Sequence, residues 1–458
     1  QGYTINDAPR SIYKVEKLYS ALKGYAPKTV QHPVYDDDFR AGVSLAYSAF
    51  AKPKDRDSLI MLGLTPGNII KMTSSPTASA GLTNYGVDKA HSQMRALERG
   101  RQTISGAKAP EPCLAGARTQ FNDKTRLVWM YPYSMTVLEG LLAYPLIQEF
   151  KRGHTPMAFA MPTWVLGNKL VLSSYRKNWC YSTDMSKFDE HISAKLIHIA
   201  FDILRTWFDM GRWDTADEFS TGQLFDLVEN YFIHTPIVMP NMKLYLGKDH
   251  GVPSGSYFTQ VVDSIVNCII CGTVASKFNL NVDKKDIFIL GDDLVFWSNR
   301  KCDLDVMANY EKAHLHVKMH GSEKSHIYRY DETIHFLGRD WDHGYPTLET
   351  DEVIKRMVFP ERYRKYDRSR EAKRRELKKL MLSYAAVYRS AWPIAFGFID
   401  PSVRNIHRGC ANVDVDAFAG DPRAVEPDML SGLERYLRKY VRGPSGKDIP
   451  ITALQYLL

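Results

Sequence analysis

The chain has 458 residues and a formal net charge of +8, from 60 lysines and arginines against 52 aspartates and glutamates. Hydrophobic residues make up 44% and charged residues 24%, a mixture that excludes a disordered or fibrous protein and supplies a large core. The basic surplus is compatible with a nucleic-acid partner but does not require one.

Six cysteines are too few for a disulfide framework, so we expect a reducing, intracellular protein. Cys268 and Cys271 have C-x-x-C spacing, but no second pair or histidine stands nearby at metal spacing. They lie in an apolar stretch, 261–274, which predicts plain core thiols. Residues 1–10 lack the pattern of a signal peptide, and no apolar run reaches the roughly eighteen residues of a membrane span.

The elements can be predicted in chain order. Residues 63–86 are rich in Gly, Pro, Ser and Thr and predict an irregular loop, and 179–183 predict a strand. The basic run 361–380 indicates either a solvated helix face or a positive wall beside a nucleic acid. Apolar periodicity predicts helices over 88–100, 134–150, 192–210, 216–232, 256–274 and from about 351 onward. The pattern favours a mixed α+β core with a helical C-terminal domain.

Residues 287–297 carry four apolar residues on each side of Gly291-Asp292-Asp293. Both runs are strand-like and Gly-Asp is a turn former, so the pattern predicts a hairpin with two carboxylates at its tip. A solvated turn is the plainer interpretation. Buried flanks make adjacent charges costly, however, and a bound cation would offset that cost.

A second acidic pair is Asp184, at the end of a strand-like run, and Asp189, where a helix begins. Helix capping alone could explain Asp189. Further on, residues 251–259 form a flexible loop that leads into a helix. Thr259, Asp263 and Asn267 would share one face of that helix, either as a buried polar stripe or as a solvent-facing edge.

The remaining piece is basic. Arg118, Lys124 and Arg126 stand close together around a short strand and could clamp a triphosphate, although such clusters are common on surfaces.

In chain order the pieces form a series: the basic strand, Asp184-x4-Asp189, Ser254-Gly255-x3-Thr259, Gly291-Asp292-Asp293, Lys324 and Phe336-Leu337-Gly338. Over residues 118–338 this series resembles motifs F, A, B, C, D and E of viral RNA-dependent RNA polymerases. The loop with Ser75 and Pro76 resembles the template-guiding motif G. The Gly-Val-Pro-Ser-Gly-Ser-Tyr-Phe-Thr-Gln segment is most like that of partitiviruses, which have double-stranded RNA genomes, with picobirnaviruses next.

The resemblance implies an α+β right-hand polymerase fold of fingers, palm and thumb, with an antiparallel-sheet palm and mostly helical fingers and thumb. The expected boundaries are fingers with an N-terminal extension (1–130), palm with motif A (131–195), a fingers insertion (196–250), palm with motifs B to E (251–350), and thumb with C-terminal tail (351–458).

It also implies roles at the catalytic centre. Asp184 and Asp292 would bind two Mg²⁺ or Mn²⁺ ions, with Asp293 beside them and the Met185 carbonyl as a further ligand. Lys324 would be the general acid that protonates pyrophosphate, with Lys318 as a competitor. An exposed surface lysine is the plainer alternative for both.

The resemblance assigns substrate contacts as well. Lys124, Arg126 and Arg118 would bind the triphosphate, and Asp189, with Ser254, Gly255 and Thr259, would recognise the ribose. Phe336, Leu337 and Gly338 would support the primer, unless they are ordinary strand core, and Ser75 and Pro76 would guide the template. A picornavirus-like pattern has Asn where this chain has Asp263; either Asp263 or Asn267 could assist sugar selection.

The expected partners are template and nascent RNA, nucleoside triphosphates and a viral capsid protein, in the virion interior and the host cytoplasm, without a membrane. Two other functions remain open. A reverse transcriptase shares the palm, but its hairpin usually carries Tyr-x-Asp-Asp. An RNA-binding or structural virion protein would fit the charge but leaves the acidic motifs unexplained.

Overall fold

A computed structural model of the chain describes residues 13–82, 84–119, 125–159, 161, 163–214, 218–349, 351–353 and 355. The predicted Lys124, the basic run 361–380 and the C-terminal tail lie outside these residues. The described chain forms two compact units. The larger unit contains residues 13–157 and 183–326, and the smaller contains 158–182 and the residues from 327 onward.

The α-helices of the described residues are α1 (Val15–Leu22), α2 (Asp37–Phe50), α3 (Pro66–Met72), α4 (Lys89–Ile104), α5 (Tyr133–Phe150), α6 (Thr163–Ser174), α7 (Phe188–His191), α8 (Ala194–Arg205), α9 (Thr221–Ile233), α10 (Thr259–Lys277) and α11 (Leu304–Tyr310). The predictions for 88–100, 134–150, 192–210, 216–232 and 256–274 are thus confirmed as helices, with ends displaced by a few residues.

The strands are β1 (Cys113–Thr119), β2 (Thr125–Met130), β3 (Trp179–Thr183), β4 (Trp213–Asp214), β5 (Phe219–Ser220), β6 (Ile237–Val238), β7 (Leu244–Tyr245), β8 (Ile287–Leu290), β9 (Asp293–Ser298), β10 (His326–Arg329), β11 (Ile334–Phe336), β12 (Arg339–Asp342) and β13 (Tyr345–Thr347). In the larger unit, β2, β1, β6 and β7 form one sheet in that order, and β8 pairs antiparallel with β9. In the smaller unit, β11, β12 and β13 form an antiparallel sheet.

Side-chain caps begin several of these helices. The Asp36 carboxylate accepts a hydrogen bond from Phe39 N at 2.8 Å and starts α2. Ser220 and Gln223 form a reciprocal capping box at the start of α9. Such caps satisfy backbone donors that have no partner inside the helix, and they fix where each helix begins.

The prediction of an irregular loop over 63–86 is wrong in its first part, because α3 lies there. The Thr65 hydroxyl accepts a hydrogen bond from Asn68 N at 3.3 Å, and Pro66 occupies the first turn, where its missing N–H costs nothing. Ile69 and Met72 are buried and anchor this short helix to the core. The composition of the stretch concealed an ordinary helix start.

Helix α10 forms the centre of the larger unit, and every residue from Val261 to Ala275 is buried. It packs against α2 at two glycines, where a Cβ on Gly272 would lie 2.8 Å from the Cα of Gly42. By length and composition α10 is the helix of the described residues that could cross a membrane. Since 78% of its apolar window is buried inside the protein, it has the character of a core helix. Cys268 and Cys271 on it are buried thiols, as predicted.

Candidate active site

The β8–β9 hairpin presents the acidic turn. Its strands are buried, and the register places Leu290 opposite Asp293 with Gly291 and Asp292 in the turn between them. Gly291 has φ of 66°, a conformation that favours glycine. Asp292 is half-buried and Asp293 is exposed. The predicted hairpin is therefore confirmed, with its two carboxylates in different environments.

Asp184 follows β3, and its side chain is 51% exposed. Residues 318–320 run alongside it, because His320 N donates to Asp184 O at 2.8 Å and Ser186 N donates to Lys318 O at 2.8 Å. The buried Ser325 hydroxyl accepts from Asp184 N at 3.1 Å and donates to His320 O at 2.5 Å. A neighbouring segment thus fixes the backbone that carries Asp184. Met185, on the same segment, is buried and forms an isolated antiparallel β-bridge with Met319.

A histidine connects Asp184 to one of the two candidate lysines. His320 Nε2 lies 3.8 Å from Asp184 Oδ2, and Lys324 Nζ lies 3.2 Å from the same imidazole nitrogen. The other ring nitrogen of His320 lies 3.0 Å from Glu323 Oε1. The Lys318 side chain is exposed and has no hydrogen bond or ion pair within the described residues. The contacts therefore associate Lys324, rather than Lys318, with Asp184.

Three carboxyl groups interact around the hairpin turn. Burial raises the pKa of Asp189 to about 6; the Asp292 carboxylate also raises it, and the Arg126 guanidinium opposes the rise. Burial, and then repulsion from Asp189 and Asp292, raise the pKa of Asp263 well above its usual range. Asp189, Asp263, Asp292 and Arg126 are therefore electrostatic neighbours, although they are far apart in sequence.

The α10 face behaves as the buried polar stripe rather than as a solvent edge. Asp263 and Asn267 are buried, and the Thr259 hydroxyl donates to Pro253 O at 2.7 Å. Asn267 Nδ2 donates to Gly291 O at 3.1 Å and to Asp292 O at 3.0 Å. The Ser264 hydroxyl, also on α10, accepts a hydrogen bond from Gly291 N at 3.0 Å.

The loop before α10 is bonded to two other predicted pieces. Val252 N donates to Asp189 O at 2.8 Å. The Ser254 hydroxyl accepts from Trp129 N, on β2, at 3.3 Å. Gly255 packs so tightly against β2 that a Cβ there would overlap the Trp129 carbonyl oxygen. Only glycine fits at this position without displacing one of the two segments.

Glu139 on α5 was not identified from the sequence. Its buried carboxylate accepts a hydrogen bond from the Ser256 hydroxyl at 2.8 Å and one from Tyr257 N at 2.9 Å. Burial raises its pKa to about 8, and these hydrogen bonds partly oppose the rise. One signal was present: Glu139 is a charged residue within an apolar helical run.

The basic strand contributes two arginines. Arg126 on β2 lies directly opposite Arg118 on β1, and both side chains are exposed. Like charges in a cross-strand pair repel each other, and an anion between them would relieve that repulsion. The third predicted base of this strand, Lys124, lies outside the described residues.

The structure also describes the residues predicted to contact the template and the primer. Ser75 and Pro76 are exposed and follow α3. In the smaller unit, Phe336 is buried at the end of β11, which fits strand core. Leu337 and Gly338 have φ of 55° and 66° and form the two-residue turn to β12.

Divalent metal ions fit the chemistry of the acidic cluster. Carboxylate oxygens are hard donors. Burial, and then repulsion between the carboxylates, raise the pKa of Asp189 and Asp263, and a bound cation would offset both effects. Within the described ranges, no three His, Cys, Asp or Glu side chains are close enough together to form a ready-made metal site. The support for metal binding is therefore electrostatic.

Comparisons with known proteins agree on one class. Residues 121–392 match a family model described as viral RNA-dependent RNA polymerase. The chain is 33% identical over 170 residues to an RNA-directed RNA polymerase of Cryptosporidium parvum virus 1, covering 35% of this chain and 30% of that protein. It is 25% identical over 230 residues to a potential RNA-dependent RNA polymerase of human picobirnavirus, covering 48% and 39%. The chain thus spans less than half the length of these curated relatives.

A solved structure shows the fold. The insertion-loop deletion mutant of a human picobirnavirus RNA-dependent RNA polymerase has a TM-score of 0.67 and 18% identity, covering 95% of this chain and 83% of that one. This likeness confirms the α+β right-hand polymerase fold that the motif series implies.

Proposed function

Because this chain belongs to the viral RNA-dependent RNA polymerase family, we propose that it joins ribonucleotides to an RNA 3′-hydroxyl on an RNA template. The observation that carries the proposal is the cluster at the hairpin turn. Asp292 interacts there with Asp189 and Asp263, and Arg126 compensates part of the negative charge. A centre of this kind combines acidic ligands for cations with a base for a triphosphate.

Polymerases of this family generally use divalent metal ions. We propose that Asp184 and Asp292 hold two Mg²⁺ or Mn²⁺ ions, with Asp293 and the Met185 carbonyl beside them. The chemistry that such ions supply when bound is activation of the 3′-hydroxyl and neutralisation of the triphosphate. The Asp184 carboxylate is exposed, with His320 Nε2 at 3.8 Å, and the Asp292 carboxylate is half-buried, so both would be accessible to a cation.

The substrate would be oriented by residues from several elements. Arg126, with Arg118 and Lys124, would bind the triphosphate. Asp189 would accept a hydrogen bond from a ribose hydroxyl, and Ser254, Gly255 and Thr259 would shape the adjacent loop. Lys324 would donate a proton to pyrophosphate, supported by its contact with His320 beside Asp184.

We also propose the more distant contacts, the division into fingers, palm and thumb at the boundaries given above, and the cellular setting, with family membership as their support. Ser75 and Pro76 would guide the template, and Phe336, Leu337 and Gly338 would support the primer strand. The chain would replicate and transcribe a double-stranded RNA genome in the virion interior and host cytoplasm, with a capsid protein as partner.

The experiment that tests the proposal is nucleotide incorporation on a single-stranded RNA template with Mg²⁺ or Mn²⁺. Wild type is compared with Asp292→Ala and Asp184→Ala, and Asp57→Asn, an exposed acid outside the cluster, is the control. We expect metal-dependent synthesis by wild type and control, none by either alanine variant, and a preference for NTP over dNTP. Full synthesis by Asp292→Ala would refute the assignment. RNA binding without synthesis, unaffected by either alanine, would favour a binding protein instead.

A further inference from the structure

Two side chains of helix α10 make hydrogen bonds to the backbone of Gly291. Gly291 N donates to the Ser264 hydroxyl at 3.0 Å, and Gly291 O accepts from Asn267 Nδ2 at 3.1 Å. A second hydrogen from the same amide reaches Asp292 O at 3.0 Å. Two side chains of one helix therefore contact the backbone on both sides of the acidic turn.

The chemistry of these contacts fixes the orientation of the Asn267 amide. Both of its partners are carbonyl oxygens, which only accept, so the NH₂ end must face the turn. Asn267 and Ser264 are fully buried, and the hydrogen bonds that they make to Gly291 are buried as well. Loss of either side chain would leave buried backbone groups without hydrogen bonds.

Side-chain packing does not immobilise the turn at Gly291. A Cβ built on this residue would meet nothing within 4 Å, and its φ is 66°. A glycine is conformationally permissive, and no neighbour occupies the Cβ side of Gly291, so its backbone needs another restraint. The three hydrogen bonds from α10 provide that restraint.

We propose that Ser264 and Asn267 are positioning residues that fix the backbone of the turn and thereby aim the Asp292 carboxylate at the metal site. The proposal rests on the proposed function insofar as Asp292 binds the metal. The proposal also gives different roles to Asp263 and Asn267, the two residues that the sequence offered for sugar selection. Both amide hydrogens of Asn267 are used by the turn, whereas Asp263 interacts with Asp189.

The test uses the full chain with Asn267→Ala and Ser264→Ala. The matched control is Thr273→Val, which removes a buried hydroxyl from the same helix. Among the residues that the structure describes, that hydroxyl donates to Ile269 O, in its own helix, at 2.8 Å and to no other group. Three quantities are measured: Mn²⁺ binding from the EPR signal of the free ion, the Mn²⁺ concentration for half-maximal RNA synthesis, and the preference for NTP over dNTP.

We expect each alanine variant to weaken Mn²⁺ binding and raise the half-maximal Mn²⁺ concentration by about tenfold, the factor that loss of one buried hydrogen bond corresponds to. Sugar preference should stay within about twofold of wild type, and Thr273→Val should match wild type in all three. Unfolding midpoints identify a variant that fails to fold, and Ser264→Ala removes too few atoms to be expected to fail.

The opposite pattern overturns the inference: unchanged Mn²⁺ dependence with altered sugar preference would make Asn267 a sugar reader. If the wild type makes no RNA, the proposed function fails separately. Mn²⁺ binding alone then decides the inference, because equal binding by wild type and both alanine variants contradicts it.

Discussion

The carboxyl group of Glu139, buried in α5, accepts a hydrogen bond at 2.8 Å from the hydroxyl of Ser256, in the loop that precedes α10. Tyr257 N donates to the other carboxylate oxygen at 2.9 Å. One acidic group therefore anchors the loop that contains Ser254 and Gly255. We expect Glu139→Ala to destabilise the fold by about 2 kcal/mol, because it leaves two partly buried donors without partners. Chemical denaturation measures this, and equal stability of variant and wild type would contradict it.

The raised pKa of Glu139 also makes the stability of the fold depend on pH. Its pKa rises from an ordinary 4.5 to about 8 in the folded protein. Between these values the folded state keeps a proton that the unfolded state has lost, so its contribution to the free energy of unfolding falls as pH rises. Glutamine cannot ionise, so Glu139→Gln is the reference. We expect the difference in free energy of unfolding between wild type and this variant to change by about 1 kcal/mol per pH unit from pH 5.5 to 7.5. Denaturation curves at several pH values check this, and parallel profiles would exclude the shift.

Asp189 should control the choice of sugar. We expect Asp189→Ala to reduce the preference for NTP over dNTP by about tenfold to a hundredfold, because a hydrogen bond to the ribose is lost. Glu190→Ala is the control, since this neighbouring acid pairs with Lys187 at 3.0 Å. Competition between ATP and dATP on one template provides the measurement. Unchanged selectivity in the Asp189 variant would remove its proposed role.

The two candidate lysines can be separated by one substitution each. Lys324 lies 3.2 Å from His320 Nε2, whereas Lys318 is exposed without a side-chain partner in the described part of the chain. We expect Lys324→Leu to lower kcat about a hundredfold, the effect typical of a lost general acid, and Lys318→Leu to lower it less than about twofold. Single-turnover rates test this, and the reverse ranking would move the role to Lys318.

Gly255 should tolerate no side chain. A Cβ there would overlap the Trp129 carbonyl oxygen, so Gly255→Ala must displace β2 or the loop. We expect a loss of about 1–3 kcal/mol in stability and a large loss of synthesis. Gly67→Ala in α3 is the control, because a Cβ at that position meets nothing within 4 Å. Equal melting temperatures for the two variants would show that the contact is not restrictive.

Local patterns predicted much of this fold. Helix α10 follows from its apolar period, and the β8–β9 hairpin follows from its apolar flanks. The strand before Asp184 and the short helix that contains Asp189 also lie where the sequence predicts them. Helix α3 was missed because its cap, Thr65, was obscured by the composition of the loop that follows.

The supporting contacts could not be predicted in the same way. The hydrogen bonds between Ser256 and Glu139, between Asp184 and Ser325, and between Asn267 and Asp292 join residues that are remote in sequence. Periodicity says which face of a helix is buried, but not which backbone atoms it will meet. Likewise the sequence predicted the polar stripe on α10. It could not predict which groups Asp263 and Asn267 contact, because those contacts depend on where the β8–β9 hairpin packs against the helix.

The close contact between Gly42 on α2 and Gly272 on α10 has a consequence for biosynthesis. Helix α2 leaves the ribosome more than two hundred residues before its partner, a delay on the order of ten to fifty seconds at typical rates of translation. During that time its glycine face has no native neighbour. Because α10 also bonds to the backbone of Gly291, the acidic turn completes its native contacts only after both α10 and the hairpin have been synthesised.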